Sequence, residues 1–451
     1  NSLNVNLYAC DPDGTYETQF QLESAVYVEN AWQSGAELVW SSENEKIATV
    51  ENGLITAHRA GTVMVNAAYT TDDGDVINAG VMVNVERPVI LLDGMYEFDL
   101  SNKGGSSTMD LGELVPYVDG IFTGFFDITD EERQEIGGAS YKGKLSLPNK
   151  SFVKHGFRRY ALESELVSIQ FDGLAITKKI YSINDLASIA TSGNTLDGYF
   201  SLEKDIDAGG RMVALVGSYT NTSTKGFIGV FEGNGHTISN LSVNKNGLFN
   251  SIGAGTIRNL GLANVSGSIK VLASEAHGST IENVAISSTN CEMLIHYVGN
   301  GTRITNLVSV LDNGKHVINS FGSASDAENI VQNFLVVTGK PEVNDGWSGT
   351  RVTGVFRNYY KKDEPTELYD LKVYSSKEEM IVDLKNNGVP AGLDFGIRLD
   401  GSKLYYNDAV ICQYEIDVTA PATVHRGTSC TVKALDSTFS LKKSVKGISI
   451  N

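Results

Sequence analysis

The chain has only four cysteines, Cys10, Cys291, Cys412 and Cys430, in 451 residues. That is too few for a disulfide framework, and their spacing is not that of a metal site. Isolated buried thiols are the expectation, with a Cys412–Cys430 bridge in the C-terminal segment as the alternative. Also missing is any run of about 18 apolar residues, so no helical membrane span is expected. Basic residues are outnumbered, 36 against 54 acidic, for a net charge of −18. That balance disfavours nucleic acid and anionic membranes, which need clustered Lys and Arg. It says nothing of a substrate. Neither an initiator Met nor a signal-peptide core precedes Asn1-Ser2-Leu3, which reads as a processed protein or an excised fragment. Proline is rare (8) and glycine frequent (46), a balance that suits tight turns between short strands.

What is present is a recurring phrase. It reads Thr237-Ile238-Ser239-Asn240-Leu241, then Thr256-Ile257-Arg258-Asn259-Leu260, then Thr280-Ile281-Glu282-Asn283-Val284. Looser copies are Arg303-Ile304-Thr305-Asn306-Leu307 and Ile330-Val331-Gln332-Asn333-Phe334. Successive asparagines lie 19, 24, 23 and 27 positions apart. Apolar residues in register at such a period predict a solenoid. Two positions before each Asn stand Ile238, Ile257, Ile281, Ile304 and Val331; one after stand Leu241, Leu260, Val284, Leu307 and Phe334. Parallel coils stacked about 4.8 Å apart turn each set into an interior ladder. The column Asn240, Asn259, Asn283, Asn306 and Asn333 is expected where the strand bends, amide bonded to amide from coil to coil. The alternative places these asparagines at exposed strand ends.

The predicted fold class is all-β, with four segments. Residues 1–87 alternate polar and apolar between turn clusters and read as a β-sandwich, with Asn52-Gly53 as a hairpin turn. Residues 88–177 read as a second small sandwich, interrupted by an acidic turn of helical type at Asp130-Glu131-Glu132-Arg133. Residues 178–411 are the β-helix, expected to be capped at both ends. A Ser182-Ile183-Asn184-Asp185 helix start serves one end, and a Ser-x-x-Glu helix from Ser376 to the stop at Gly388 serves the other. Residues 412–451 read as the opening strands of a partial Ig-like module.

Two stretches carry a resemblance. Trp40-Ser41-Ser42-Glu43-Asn44, Ala48-Thr49-Val50, Gly53-Leu54-Ile55-Thr56-Ala57 and Gly61-Thr62 resemble the signature of the bacterial Ig-like domain of group 2. This implies a spacer or adhesive module of bacterial surface proteins, with Trp40 in its core. Leu202-Glu203-Lys204-Asp205-Ile206-Asp207, the phrase from Phe227 to Ile238, and Gly247-Leu248-Phe249 resemble the GLUG-type right-handed β-helix of bacterial surface proteins. That likeness, over roughly residues 180–340, implies architecture and next to nothing about activity.

Catalytic chemistry on a β-helix would stand on the columns expected to face outward. One before the Asn stand Ser239, Arg258, Glu282, Thr305 and Gln332; two after stand Ser242, Gly261, Ala285, Val308 and Leu335. Neither stacks two acids, as glycoside hydrolysis requires. Arg258 and Glu282 read as a surface ion pair. His236, His277, His296 and His316 fall at different offsets and form no expected cluster. Asp205 and Asp207 lack the oxygen series of a calcium loop and read as turn or cap carboxylates. Gly233-Asn234-Gly235 precedes a strand rather than a helix and is no phosphate cradle. Trp347, Tyr359 and Tyr360 are the candidate binding aromatics. No catalytic residue, metal or cofactor is expected. The function expected is non-enzymatic adhesion by an extracellular bacterial surface protein, toward a glycan or a host or neighbour-cell protein. A polysaccharide lyase or glycoside hydrolase on the β-helix flank is the alternative.

Overall fold

The computed structural model describes residues 4–118, 122–141, 143–190, 195–216, 224–322, 329–338, 356–358, 366–393, 395–413, 431–434 and 437–440. The chain divides into two compact units, Asn1–Thr177 and Lys178–Asn451. It is all-β.

The first unit holds two sandwiches. In one, strands Asn4–Tyr8, Val76–Glu86, Gly61–Thr70 and Val39–Ser42 form a sheet facing a second of Gln19–Gln21, Leu54–Ala57 and Ala48–Glu51. The alternating inward residues Leu7, Ile55, Val63, Val65, Val83 and Val85 make its core, and Trp40 packs against it. The hairpin turn is where its residues demand it: Asn52 and Gly53 both have positive φ, 50° and 80°. In the second sandwich, Val89–Asp99, Ser168–Ile176, Gly156–Ser164, Phe122–Asp127 and Gln134–Glu135 oppose Ser106–Asp110, Lys144–Pro148 and Ala139–Tyr141. Aromatics fill this core, with Phe125 stacked on Tyr160 at 5.2 Å and 18°. The acidic segment at Asp130 is a turn, not a helix. Arg59 forks onto Glu165 at 3.0 and 2.8 Å, and Arg87 donates to the Ser164 carbonyl at 2.7 Å, joining the two sandwiches.

The second unit is a parallel β-helix built on two sheets. Strands Tyr199–Leu202, Val230–Glu232, Thr256–Val265, Thr280–Ser288, Arg303–Leu311, Asn329–Thr338 and Thr366–Tyr374 stack in one. Gly226–Phe227, Phe249–Ile252, Lys270–His277, Met293–Gly299, Ile318–Phe321 and Phe356–Asn358 stack in the other. Ile257, Ile281, Ile304 and Val331 align in register, as do Leu260, Val284, Leu307 and Phe334. All eight lie in one continuous interior cluster and are 0–1% exposed. The helix Ile183–Ser188, N-capped by Ser182, sets Leu186 against that cluster and covers its N-terminal end.

The other helix is not an end cap. Lys377–Asn387 is capped as its residues predict, by Ser376 at the start and Gly388 (φ 79°) at the stop. Yet Met380, Ile381 and Leu384 belong to a second core with Ala263, Ala285, Val308, Val310, Leu335 and Val337. That core lies outside the solenoid interior. Its roof is completed by the antiparallel meander Ile397–Asp400, Lys403–Tyr406 and Ala409–Gln413. The helix therefore covers the flank, because apolar residues point outward as well as inward beyond the bend. Cys412 is part of this roof. Of the C-terminal Ig-like segment, the described residues are the hairpin Thr431–Ala434 with Ser437–Ser440; the remainder beyond Gln413 lies outside them.

Candidate functional site

The solenoid's polar architecture starts from one backbone requirement. A sharp bend in a strand needs a residue in the left-handed region, which Asn tolerates better than other non-glycine residues. Asn259, Asn283, Asn306 and Asn333 all adopt it, with φ of 51–54°. The bend aligns their amides. Asn283 Nδ2 donates to Asn259 Oδ1, Asn306 to Asn283, and Asn333 to Asn306, each at 2.9 Å. The ladder has a direction: every amide donates toward the N-terminal coil. Its head must be a pure acceptor, and the buried Glu232 supplies it, taking Asn259 Nδ2 on Oε1 at 2.9 Å. Arg258 Nε donates to Oε2 of the same carboxylate at 2.6 Å. The expected Arg258–Glu282 pair is thus replaced by Arg258–Glu232, its register partner on the preceding coil.

Asn240 is not in this column. Ile238 pairs with Leu262 rather than Ile257, so Asn240 sits at the next corner, facing Asn264. Both have φ of 53°, and Asn264 Nδ2 donates to Asn240 Oδ1 at 2.7 Å. Asn240 in turn donates to Asp207 Oδ1 at 2.9 Å. This second, shorter ladder obeys the same rule, with a carboxylate at its head. The Asn240 bond, then the backbone N–H of Gly209, hold the Asp207 carboxyl below its usual range. Asp205 likewise caps a strand, accepting Thr237 N at 2.8 Å and lying 3.3 Å from His236 Nδ1.

The column two after the Asn points outward but meets no solvent. Ala285, Val308 and Leu335 are 0–1% exposed beneath the helix and meander. Gly261 belongs to the same face, and a Cβ there would lie 2.1 Å from Thr237 Oγ1 on the preceding coil and 2.8 Å from the Tyr406 ring, so the coil stacking and the meander's close approach together require glycine. One flank of the solenoid is occupied by its own chain.

On the other sheet, Glu275 and His277 are bonded at 3.0 Å between Oε2 and Nε2, both about 95% buried. The Tyr297 ring lies 5.2 Å from the His277 ring, and Asn300 Nδ2 lies 3.3 Å from His277 Nδ1. A Cβ at Gly299 or Gly322 would come within 2.9 or 2.7 Å of Tyr297, so both glycines make room for it. Glu275 and His277 are two apart on a strand, with Ala276 turned into the interior between them. That spacing was the available signal for this pair.

The predicted binding aromatics Trp347, Tyr359 and Tyr360 lie outside the described residues. A different aromatic pair stands in the open: Tyr27 is 53% exposed and Trp32 70%, ring centroids 4.8 Å apart. Among the described residues, no group of three or more His, Cys, Asp or Glu could hold a metal ion, and no helix is long and apolar enough to cross a membrane. Burial pushes the Cys10 thiol up to about 11 and the Cys412 thiol up to about 12, and raises that of Cys291. Cys430 lies outside the described residues.

No family model matches the chain. It is 32% identical over 123 residues to Halomucin of Haloquadratum walsbyi, a match covering 24% of this chain and 1% of that protein. The chain thus matches about one-hundredth of its curated relative's length. Among solved structures, the titin I-band fragment I67-I69 is 12% identical, covers 39% of this chain and 61% of its own, and has a TM-score of 0.19. The S-layer protein rSbsC(31-844) is 16% identical over 40% of this chain and 27% of its own, at 0.15. Drosophila OTK extracellular domains 3-5 are 17% identical over 39% and 58%, at 0.17. TM-scores this low carry no weight for fold or function.

Proposed function

We propose that this chain is part of an extracellular bacterial surface protein. In this reading its sandwiches act as spacers and its β-helix binds a glycan or a neighbouring protein without turning it over. The resemblance of its sandwich and solenoid phrases to modules of bacterial surface proteins supports the location, and the partial match to Halomucin agrees. The observation that carries the non-enzymatic half is the covered flank. A solenoid hydrolase works from paired carboxylates in an open groove on its coils. Here the column that would floor such a groove is apolar and filled by the chain's own helix and meander. The one carboxylate brought against Arg258 is spent as the head of the asparagine ladder.

A second reading, a polysaccharide lyase or glycoside hydrolase, draws on the bonded Glu275–His277 pair beside Tyr297. A screen of the full chain against printed glycans and, in parallel, against soluble neutral and acidic polysaccharides separates the two. Binding without product release is the expected outcome. Product release that disappears in Glu275→Gln and His277→Ala overturns it and establishes the second reading.

A further inference from the structure

We propose that the Tyr27–Trp32 hairpin in the first sandwich is a contact site for a neutral carbohydrate, each ring taking the C–H face of a sugar. The hairpin is preorganised. Val26–Val28 pairs with Ala31–Gln33, Tyr27 opposite Trp32, across a two-residue turn. Glu29 and Asn30 hold φ of 49° and 64°, the doubly left-handed turn that matches strand twist and fixes the register. The rings are therefore presented at a set separation of 4.8 Å and a tilt of 58°. A cross-strand pair serving only to hold two strands together needs one contact face per ring. This pair leaves 70% of Trp32 exposed, whereas Trp40 in the same sandwich packs into the core.

Charge and size select the occupant. Residues 1–45 contain no Lys, Arg or His, and Glu29 stands in the turn itself. Anionic glycans, nucleic acid and acidic lipid are repelled. Two aromatic side chains offer at most about 500 Å², short of the ~800 Å² per partner of a stable protein interface. A sugar ring suits so small an island. It sets an apolar face on an aromatic and turns its hydroxyls to the edge, where Asn30 and Gln33 carry amides. Because these residues belong to the first unit, this site stands or falls separately from ligand binding by the β-helix.

The test uses the full chain with cellohexaose, xylohexaose and mannohexaose as neutral probes, and heparin and polygalacturonate as anionic ones. The chain has three tryptophans, Trp32, Trp40 and Trp347, so three indole N–H signals are followed by NMR and Trp32 is assigned with Trp32→Phe. At least one neutral probe is expected to move the Trp32 signal and leave Trp40 unmoved, and to bind Trp32→Ala or Tyr27→Ala about tenfold or more weakly. The indole shift is read on the unaltered chain, so a misfolded variant cannot imitate it. A silent Trp32 signal with every neutral probe, or a titration of that signal whose midpoint is unchanged in Tyr27→Ala, overturns the proposal. So does Trp32-dependent binding of the anionic probes, of a protein, or of a second copy of this chain in place of the neutral sugars.

Discussion

The two units solve the same problem, bringing distant strands together, in opposite ways. In the second sandwich each buried ring has a unique neighbourhood: Phe98, Phe125, Tyr160 and Phe171 touch one another from four different strands. No position repeats, so no period announces the fold, and the sequence shows only alternation and turns. In the solenoid each buried residue has the same neighbourhood as its counterpart one coil away. Its specificity is concentrated in the bend, where Asn must satisfy backbone and ladder at once. A core of unlike parts fails where one part is removed. A core of like parts should fail where its register is lost.

Removing a ring from the sandwich is the severest way to probe that contrast. Phe125→Ala, at a fully buried position stacked on Tyr160, is expected to cost about 3–5 kcal/mol. Urea unfolding followed by NMR should show the first unit melting early while signals of the solenoid keep their midpoint. Next comes the bend itself. Asn283→Ala removes the short amide that lets Asn tolerate φ of 54°, at up to about 1–2 kcal/mol, and breaks two ladder bonds at about 1 kcal/mol each. Asn283→Gly restores the backbone freedom and should recover the first contribution only. Equal losses for Ala and Gly, read from denaturation midpoints, would mean that the bend is unstrained.

The smallest effect concerns acid. The carboxyl of Asp207 is held below its usual range in the folded chain, chiefly by Asn240. A depressed folded value gives stability that is present above the unfolded carboxylate range and lost as pH falls through the lower, folded one. Thermal melts of the native chain and Asp207→Asn should therefore differ by a constant amount near neutrality, with the difference shrinking only in strong acid. A difference that already changes between pH 8 and 6 would contradict this assignment.

How much was legible follows from the same contrast. From Thr256 onward the columns could be set by counting, because coils of 24, 23 and 27 residues keep the phrase in register. The 19-residue step to Asn240 was the anomaly. Asn240 shares its phrase with the main column but belongs to a corner whose true partners, Asp207 and Asn264, lie 33 and 24 residues away. Asn264 was missed because Leu262-Ala263-Asn264-Val265 carries none of the repeated words. The outward column was placed correctly as to side, but its Ala285, Val308 and Leu335 already spelled a second buried face. An apolar outer column means a cover, and the helix after Ser376 was the available one. The Tyr27–Trp32 pair went unread because its turn, Glu29-Asn30, lacks the glycine that usually marks a tight hairpin.

Side-chain amide hydrogen exchange at Asn283 and Asn306 reaches the ladder most directly, since each Nδ2 group donates to the coil before it. Their amide protons should exchange far more slowly than those of the solvent-facing Asn30, and Asn283→Gly should release protection at Asn306, which loses its acceptor. Exchange at Asn283 and Asn306 as fast as at Asn30 would mean that no such ladder joins the coils.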